Sequence, residues 1–174
     1  MKLSIIILNY KTRQYLSTCL ASVFEQDTRV PYEVIVIDNA SEDLTDVKKQ
    51  FPKIILLTNT VNVGFASAVN QGICMSETEY IMTLNPDVVL EPDYIEKCIH
   101  TIEKNKDIGS VTGKLLYYDF EKGKKTDLID STGIIMKRGK RAYDRGQGEK
   151  DKKQFDGLTT VWGVSAAAAI YRRT

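Results

Sequence analysis

Four short apolar runs organise the first half of the chain, and each stops at a cluster of polar residues. Residues 3–8 form a continuous run rich in β-branched side chains, the mark of a strand buried on both faces, and it ends at Asn9-Tyr10. Residues 33–38 repeat the pattern around Val34-Ile35-Val36-Ile37 and end in Asp38-Asn39. A third run over residues 54–57 gives way to Thr58-Asn59, and a fourth over 80–84 ends at Asn85-Pro86-Asp87. Pro86 has no N–H and biases Asn85 away from helix, so the fourth strand stops there.

Between these runs the apolar spacing becomes helical. Thr12 is placed to cap a helix that carries Tyr15, Leu16, Cys19, Leu20, Val23 and Phe24 on one face. Asn39 and Ser41 are both good caps for a helix that runs to about Gln50. After Gly64, the stretch from Phe65 sets Phe65, Val69, Gly72 and Ile73 on one face, with Asn62 or Ser67 near its start. Pro92 suits the first turn of a helix that buries Tyr94, Ile95, Cys98, Ile99 and Ile102. Strands alternating with helices at this spacing predict βαβ units around a parallel sheet. The expected fold class is therefore α/β, a mostly parallel sheet flanked by helices, with residues 1–174 as one domain.

The second half is less regular. Residues 110–118 return to strand character, and residues 121–153 then hold eleven Lys/Arg against six Asp/Glu. That segment is punctuated by glycines 123, 133, 139, 146 and 148, and only residues 128–136 are apolar enough for a strand, so an elaborated loop region is expected. Residues 161–173 suit a buried strand, although Ala166 to Ala169 are helix-prone.

Composition narrows the chemistry. With 43% hydrophobic and 27% charged residues the chain has globular character, and its net charge of +1 gives no reason to expect a nucleic-acid partner. Cys19, Cys74 and Cys98 form no CxxC, and an odd number cannot pair fully within one chain. Buried reduced thiols in a cytoplasmic setting are expected. The apolar run after Met1-Lys2 is too short for a signal peptide or a membrane span. His100 is the only histidine, which argues against His-clustered metal sites and a Ser-His-Asp triad.

The candidate chemistry sits at the strand ends. Asp38 can accept a hydrogen bond from a base N–H or a ribose hydroxyl, or it can cap a helix together with Asn39. Asp87 can supply an oxygen to Mg²⁺ or Mn²⁺, or be a turn residue after Asn-Pro. Asn62 and Asn70 bracket a loop whose Gly64 permits close backbone approach, and their amides can equally satisfy local backbone groups. A dinucleotide-dependent dehydrogenase would show GxGxxG after the first strand, but Asn9-Tyr10-Lys11-Thr12-Arg13 has no glycine. The glycine-rich basic loop of a nucleotidyltransferase is missing at the same place.

In this order, Ser4-Ile5-Ile6-Ile7-Leu8-Asn9-Tyr10, Val36-Ile37-Asp38-Asn39-Ala40-Ser41, Asn62-Val63-Gly64-Phe65-Ala66-Ser67-Ala68-Val69-Asn70 and Leu84-Asn85-Pro86-Asp87 resemble the family 2 glycosyltransferases. Within them the chain is most similar to the bacterial rhamnosyltransferase-like branch. The resemblance continues through Asp130-Ser131-Thr132-Gly133, residues 139–146, Phe155-Asp156 and residues 161–173. It implies a GT-A fold: a Rossmann-like domain that binds a UDP- or dTDP-linked sugar with a divalent metal, Mg²⁺ or Mn²⁺. It also implies sugar transfer with inversion to a saccharide or lipid-linked acceptor in cell-surface polysaccharide synthesis. By the same resemblance Asn9 and Tyr10 line the nucleotide pocket, and Asp38, followed by Asn39, reads the base. Asn62, Gly64, Phe65 and Asn70 flank the nucleotide. Asn85 and Asp87 stand at the family's DxD position, with Asp87 as the metal ligand.

Three features depart from that pattern. Asn85 replaces the first acid of DxD, and Val69 stands where many relatives carry arginine. The general base, an acid that follows the strand resembling residues 161–173 in this family, is expected beyond Thr174. Asp130, Asp144 and Asp156 are the carboxylates otherwise available. A truncated glycosyltransferase domain is thus expected, and a non-catalytic nucleotide-sugar-binding module or inactive fragment is the alternative. The cluster Lys137-Arg138-Gly139-Lys140-Arg141, with Arg145, is either a solvated charged loop or a phosphate-attracting patch, the phosphate belonging to the donor or to an acceptor at the inner membrane face. Trp162, the only tryptophan, is expected in the core or a pocket wall.

Overall fold

The computed structural model describes residues 1–139 and 141–173. Its centre is a six-stranded sheet made of β1 (Leu3–Asn9), β2 (Tyr32–Asp38), β3 (Ile55–Thr58), β4 (Tyr80–Leu84), β5 (Ser110–Thr112) and, last in the chain, β10 (Ala168–Arg172). The order across the sheet is β3-β2-β1-β4-β10-β5. The first four strands are parallel, and β10 runs antiparallel to both of its neighbours. Helices α1 (Arg13–Phe24), α2 (Thr45–Gln50), α3 (Phe65–Met75) and α4 (Tyr94–Glu103) fall between the strands.

Both faces of the sheet are covered, which explains the continuous apolar runs. Side chains alternate across a strand. Leu3, Ile5 and Ile7 of β1 therefore join the larger core with Leu16 and Leu20 of α1 and Ile95, Ile99 and Ile102 of α4. Ile6 points the other way, into a smaller core with Ile35, Ile37, Ile81 and Ala68 of α3. Helix α3 lies close on that face because Gly72 has no side chain: a Cβ there would come within 2.8 Å of Ile6 Cγ2.

Residues 110–118 are not one strand. The chain turns at Gly113, whose N–H donates to the Tyr94 hydroxyl at 3.0 Å, and a Cβ at Gly113 would meet the Tyr94 ring at 2.7 Å. The turn leaves β5 in the main sheet and starts β6 (Leu115–Asp119), which pairs with β7 (Lys124–Ser131). The expected loop region is thus largely ribbon, with a second hairpin of β8 (Ile134–Lys137) and β9 (Arg141–Asp144). Two-stranded ribbons bury little on either side; in β7 only Ile129 and Ser131 are buried, so no continuous apolar run announces them. In residues 161–173 the strand reading holds against alanine's helix propensity. Ala168, Ala169 and Ile170 are fully buried because β10 is covered on both faces and paired on both edges.

The expected helix caps are corrected. Helix α2 starts at Thr45 rather than at Asn39 or Ser41. Thr12 occupies the N-cap position of α1 but makes no capping bond, because its hydroxyl donates to Asn9. Cys74 is exposed, and only Cys19 and Cys98 are buried thiols. Phe65 is 58% exposed instead of lying on the inner face of α3.

Candidate functional site

The strand ends meet along the carboxyl edge of the parallel sheet, where open α/β sheets bind ligands. Asn9 and Asp38 are register partners at the ends of β1 and β2. The chain leaves these strands through turns in which Lys11 and Ala40 take positive φ, 59° and 60°. Asp38 is 1% exposed. Its Oδ1 accepts from Asn9 Nδ2 at 2.8 Å and from Ser41 Oγ at 2.6 Å, while Oδ2 accepts from the Ser41 N–H at 3.0 Å and the Glu42 N–H at 3.4 Å. Burial works to raise the Asp38 pKa, but the bonds from Ser41, Asn9 and Glu42 outweigh it and hold the carboxyl below its ordinary value. Asn9 spreads the network further, donating to Ser41 Oγ and Glu42 Oε2 at 3.2 Å each and accepting from Thr12 at 2.9 Å.

Asn39 ties this edge to the glycine loop. Its amide, buried at 2% exposure, donates to Asn62 Oδ1 at 2.7 Å. Its oxygen accepts from the Val63 N–H and Asn59 Nδ2, both at 3.1 Å. Asn62 Oδ1 accepts in turn from the Gly64 N–H at 2.8 Å. Gly64 has φ 82° and ψ 162°, a conformation essentially confined to glycine. It is the N-cap of α3, whose first turn has no side-chain cap, so N–H groups face outward at the rim. Asn62, Phe65 and Asn70 are exposed around it, as is Tyr10 at 41%.

At the end of β4 the Asn85 N–H donates to Ala167 O at 2.9 Å, and Asn85 O accepts from the Val88 N–H at 3.2 Å and from the Cys19 thiol at 3.6 Å. Pro86 is buried, and the turn presents Asp87 to solvent. The Cys19 thiol is pushed up to about 12 by burial, with the Asp87 charge adding to the effect, so it is protonated and inert at neutral pH.

Asp87 and Asn85 line a cavity of about 650 Å³ that also takes in Tyr15, Tyr118, Phe120 and Asp130. The aromatic rings are packed together: Phe120 lies 4.6 Å from Tyr15 and 4.8 Å from Tyr118, centroid to centroid. Of the three carboxylates available in sequence, Asp130 lines this cavity and Asp156 is held by Lys114 at 2.6 Å. Lys114 also grips Asp151 at 2.7 Å. Partial burial alone would lower the Lys114 pKa, but its two carboxylates raise it overall. A larger space, about 1220 Å³, runs between β5 and residues 155–164; of the residues singled out in sequence, Arg145, Asp156 and Trp162 line it, and none of the nucleotide-site residues does.

Asp87 carries no ion pair or side-chain hydrogen bond among the described residues, and no cluster of three metal-ligating side chains occurs among them. One free carboxylate still fits a hard cation that takes its remaining ligands from a diphosphate and water. The sequence reading missed Asn59, Gln71 and Lys114. Asn59, directly after the third apolar run, was the visible signal, and it exchanges amide hydrogen bonds with Gln71 at 2.9 and 3.1 Å. Trp162 is 74% exposed on the wall of the larger cavity, the second of its two expected places.

Comparison with known proteins bears on the family and the fold. An uncharacterized glycosyltransferase of Haemophilus influenzae is 31% identical over 142 residues, 77% of this chain and 43% of the relative. Poly-beta-1,6-N-acetyl-D-glucosamine synthase of Staphylococcus epidermidis is 28% identical over 114 residues, 64% of this chain and 28% of the relative. Among solved structures, S. aureus TarS 1–349 matches with a TM-score of 0.62 at 20% identity over 99% of this chain and 47% of its own. Mannosyltransferase PcManGT from Pyrobaculum calidifontis, in complex with GDP-Man and Mn²⁺, gives 0.59 at 21% identity over 81% of this chain and 43% of its own. The chain spans less than half the length of these relatives. Its architecture is the GT-A fold of those structures. The family model for glycosyl transferase family 2 matches residues 4–174, and the chain belongs to that family.

Proposed function

We propose that residues 1–174 act as one nucleotide-sugar-binding unit, the donor half of an inverting glycosyltransferase. The observation that carries the proposal is Asp87: an exposed carboxylate with no partner among the described residues, at the carboxyl edge of β4, opening on a cavity beside the Asn9–Asp38 strand ends. The ligands of the similar structures, UDP, UDP-GlcNAc and GDP-Man with Mn²⁺, support a nucleotide-diphosphate sugar as the partner.

In this reading Asp87, with Asn85 beside it, holds Mg²⁺ or Mn²⁺, which when bound offsets the charge of the diphosphate. The turn at Gly64 and the outward N–H groups of α3 face the nucleotide, with Tyr10, Asn62, Phe65 and Asn70 at the rim. Asp38 and Asn39 hold the floor, and Asp38 reaches a base only where Ser41 and Glu42 release it. Inverting transfer bonds an acceptor oxygen to the sugar C1 as the C1–O bond to the diphosphate breaks, while the hydroxyl proton passes to a carboxylate. No residue of 1–174 is assigned that role. Rhamnose as the sugar, a glycan or lipid-linked acceptor in surface-polysaccharide synthesis, and work at the inner membrane face complete the proposal. They rest on the sequence resemblance.

Calorimetric titration with UDP, dTDP and GDP, each with and without Mn²⁺, tests the donor site. Metal-dependent binding of one nucleotide is expected, and Asp87→Ala should abolish the metal dependence while leaving the thermal melt unchanged. Equal affinity with and without Mn²⁺ in both proteins would remove Asp87 from the site.

A further inference from the structure

The β8–β9 hairpin has a surface that the donor site does not use. From Met136 to Tyr143 the sequence contains four cations and no acid. Lys137, Arg138 and Arg141 are all exposed, and Lys140 lies outside the described residues. None of these three enters an ion pair among the described residues, although eight such pairs form elsewhere among them. Lys137 and Arg141 are direct cross-strand partners. Like charges facing one another disfavour a ribbon, so folding stability does not account for this placement.

Apolar side chains accompany the cations. Met136 is 40% exposed and Tyr143 42%, with Lys137 Nζ lying 4.6 Å from the Tyr143 ring centroid. Trp162 stands at the base of the same hairpin, because its N–H donates to Ile134 O at 3.0 Å while the Ile134 N–H donates to Gly163 O at 2.8 Å. It is 74% exposed, and Leu158, four residues earlier, is 77% exposed. Unpaired cations beside exposed tryptophan, tyrosine, methionine and leucine are the two signals that hold a protein on an anionic bilayer surface. No described helix is long and apolar enough to cross a membrane.

We propose that the β8–β9 hairpin, with Trp162 and Leu158, is an anchor for anionic phospholipid at a membrane surface. It deepens the membrane placement proposed above and does not depend on sugar transfer. The cations approach the headgroups, and Trp162 and Leu158 enter the boundary with the acyl chains.

Trp162 is the only tryptophan, so the emission of the unmodified protein reports this surface directly. The protein is titrated with vesicles of phosphatidylcholine alone and of phosphatidylcholine with phosphatidylglycerol, at low and high salt. Co-sedimentation is measured in parallel. The expected result is a blue shift and sedimentation with the anionic vesicles only, both weakened by salt. Each cation near such a surface is worth about fivefold in partitioning, so Lys137→Gln with Arg138→Gln and Arg141→Gln should lower the partition coefficient roughly 100-fold. Circular dichroism of this variant confirms its fold. Absence of the shift, equal binding to neutral vesicles, or an unweakened triple variant would overturn the proposal. Nucleotide titration of the same samples separates the two readings: vesicle binding without nucleotide binding sinks the donor site and keeps the anchor, and the reverse result does the opposite.

Discussion

Asp38→Asn changes one atom in a buried, filled site and tests whether the strand-end network depends on charge. The carboxylate accepts from Asn9, from the Ser41 hydroxyl and from two backbone N–H groups. An amide keeps the shape but turns one acceptor oxygen into a donor. If the remaining oxygen faces the Ser41 and Glu42 N–H groups, the new NH₂ meets the Asn9 NH₂, and one buried donor is left unmatched. An unmatched buried donor costs about 1–3 kcal/mol, and bonds to a charged acceptor are worth about 1.5–3 kcal/mol against about 1 for a neutral one. A net loss of about 3 kcal/mol is expected at pH 7. For a chain of this length that corresponds to a fall in melting temperature of roughly 6–12 °C. Urea denaturation at a series of pH values is the assay. The folded-state pKa of Asp38 lies below its unfolded value of about 3.9. Its contribution is therefore complete above that value and is lost as pH falls through the folded pKa. The stability gap between the two proteins should be widest at neutral pH and close in acid. A gap under about 0.5 kcal/mol at pH 7, or one that does not narrow in acid, would refute the reasoning.

Two further outcomes are expected. Gly72→Ala drives a methyl into Ile6 and Ile37 and should destabilise by about 1–2 kcal/mol, the overpacking outweighing alanine's helix preference of about 1 kcal/mol; a higher melting temperature would show that α3 shifts freely. A thiol reagent should label Cys74 alone in the folded protein, with Cys19 and Cys98 reacting only in denaturant, because burial raises the pKa of each to about 12; mass spectrometry of the labelled peptides checks this.

The parallel half of the sheet was legible because burial on both faces demands continuous apolar runs, and residues 3–8 and 34–37 have no other stable placement. The strand ends were legible for the same reason, since each run stops where polar side chains begin. What those polar residues touch was not. Asn39 and Ser41 have the chemistry of helix caps, yet both serve the strand-end network, because Asp38 and the Val63 N–H are buried beside them and need partners. The hairpins from Leu115 to Asp144 escaped because a ribbon with one wet side needs only scattered apolar positions. Residue type left Trp162 between the core and a pocket wall, and the hairpin base it borders puts it on the wall, exposed.

The position of β10 has a consequence for how the protein is made. This last strand inserts between β4 and β5, and β5 reaches the sheet only through it. During synthesis, β1 to β4 can pair as they emerge, but the open edge of β4 must wait while everything between Thr112 and Ala168 is translated, an interval of several seconds at roughly 5–20 residues per second. Until Ala168–Arg172 arrives, that edge is an unpaired template for other strands. A stall or cleavage in the ribbons would therefore leave a folded three-layer core with one sticky edge, and aggregation rather than unfolding would be its signature.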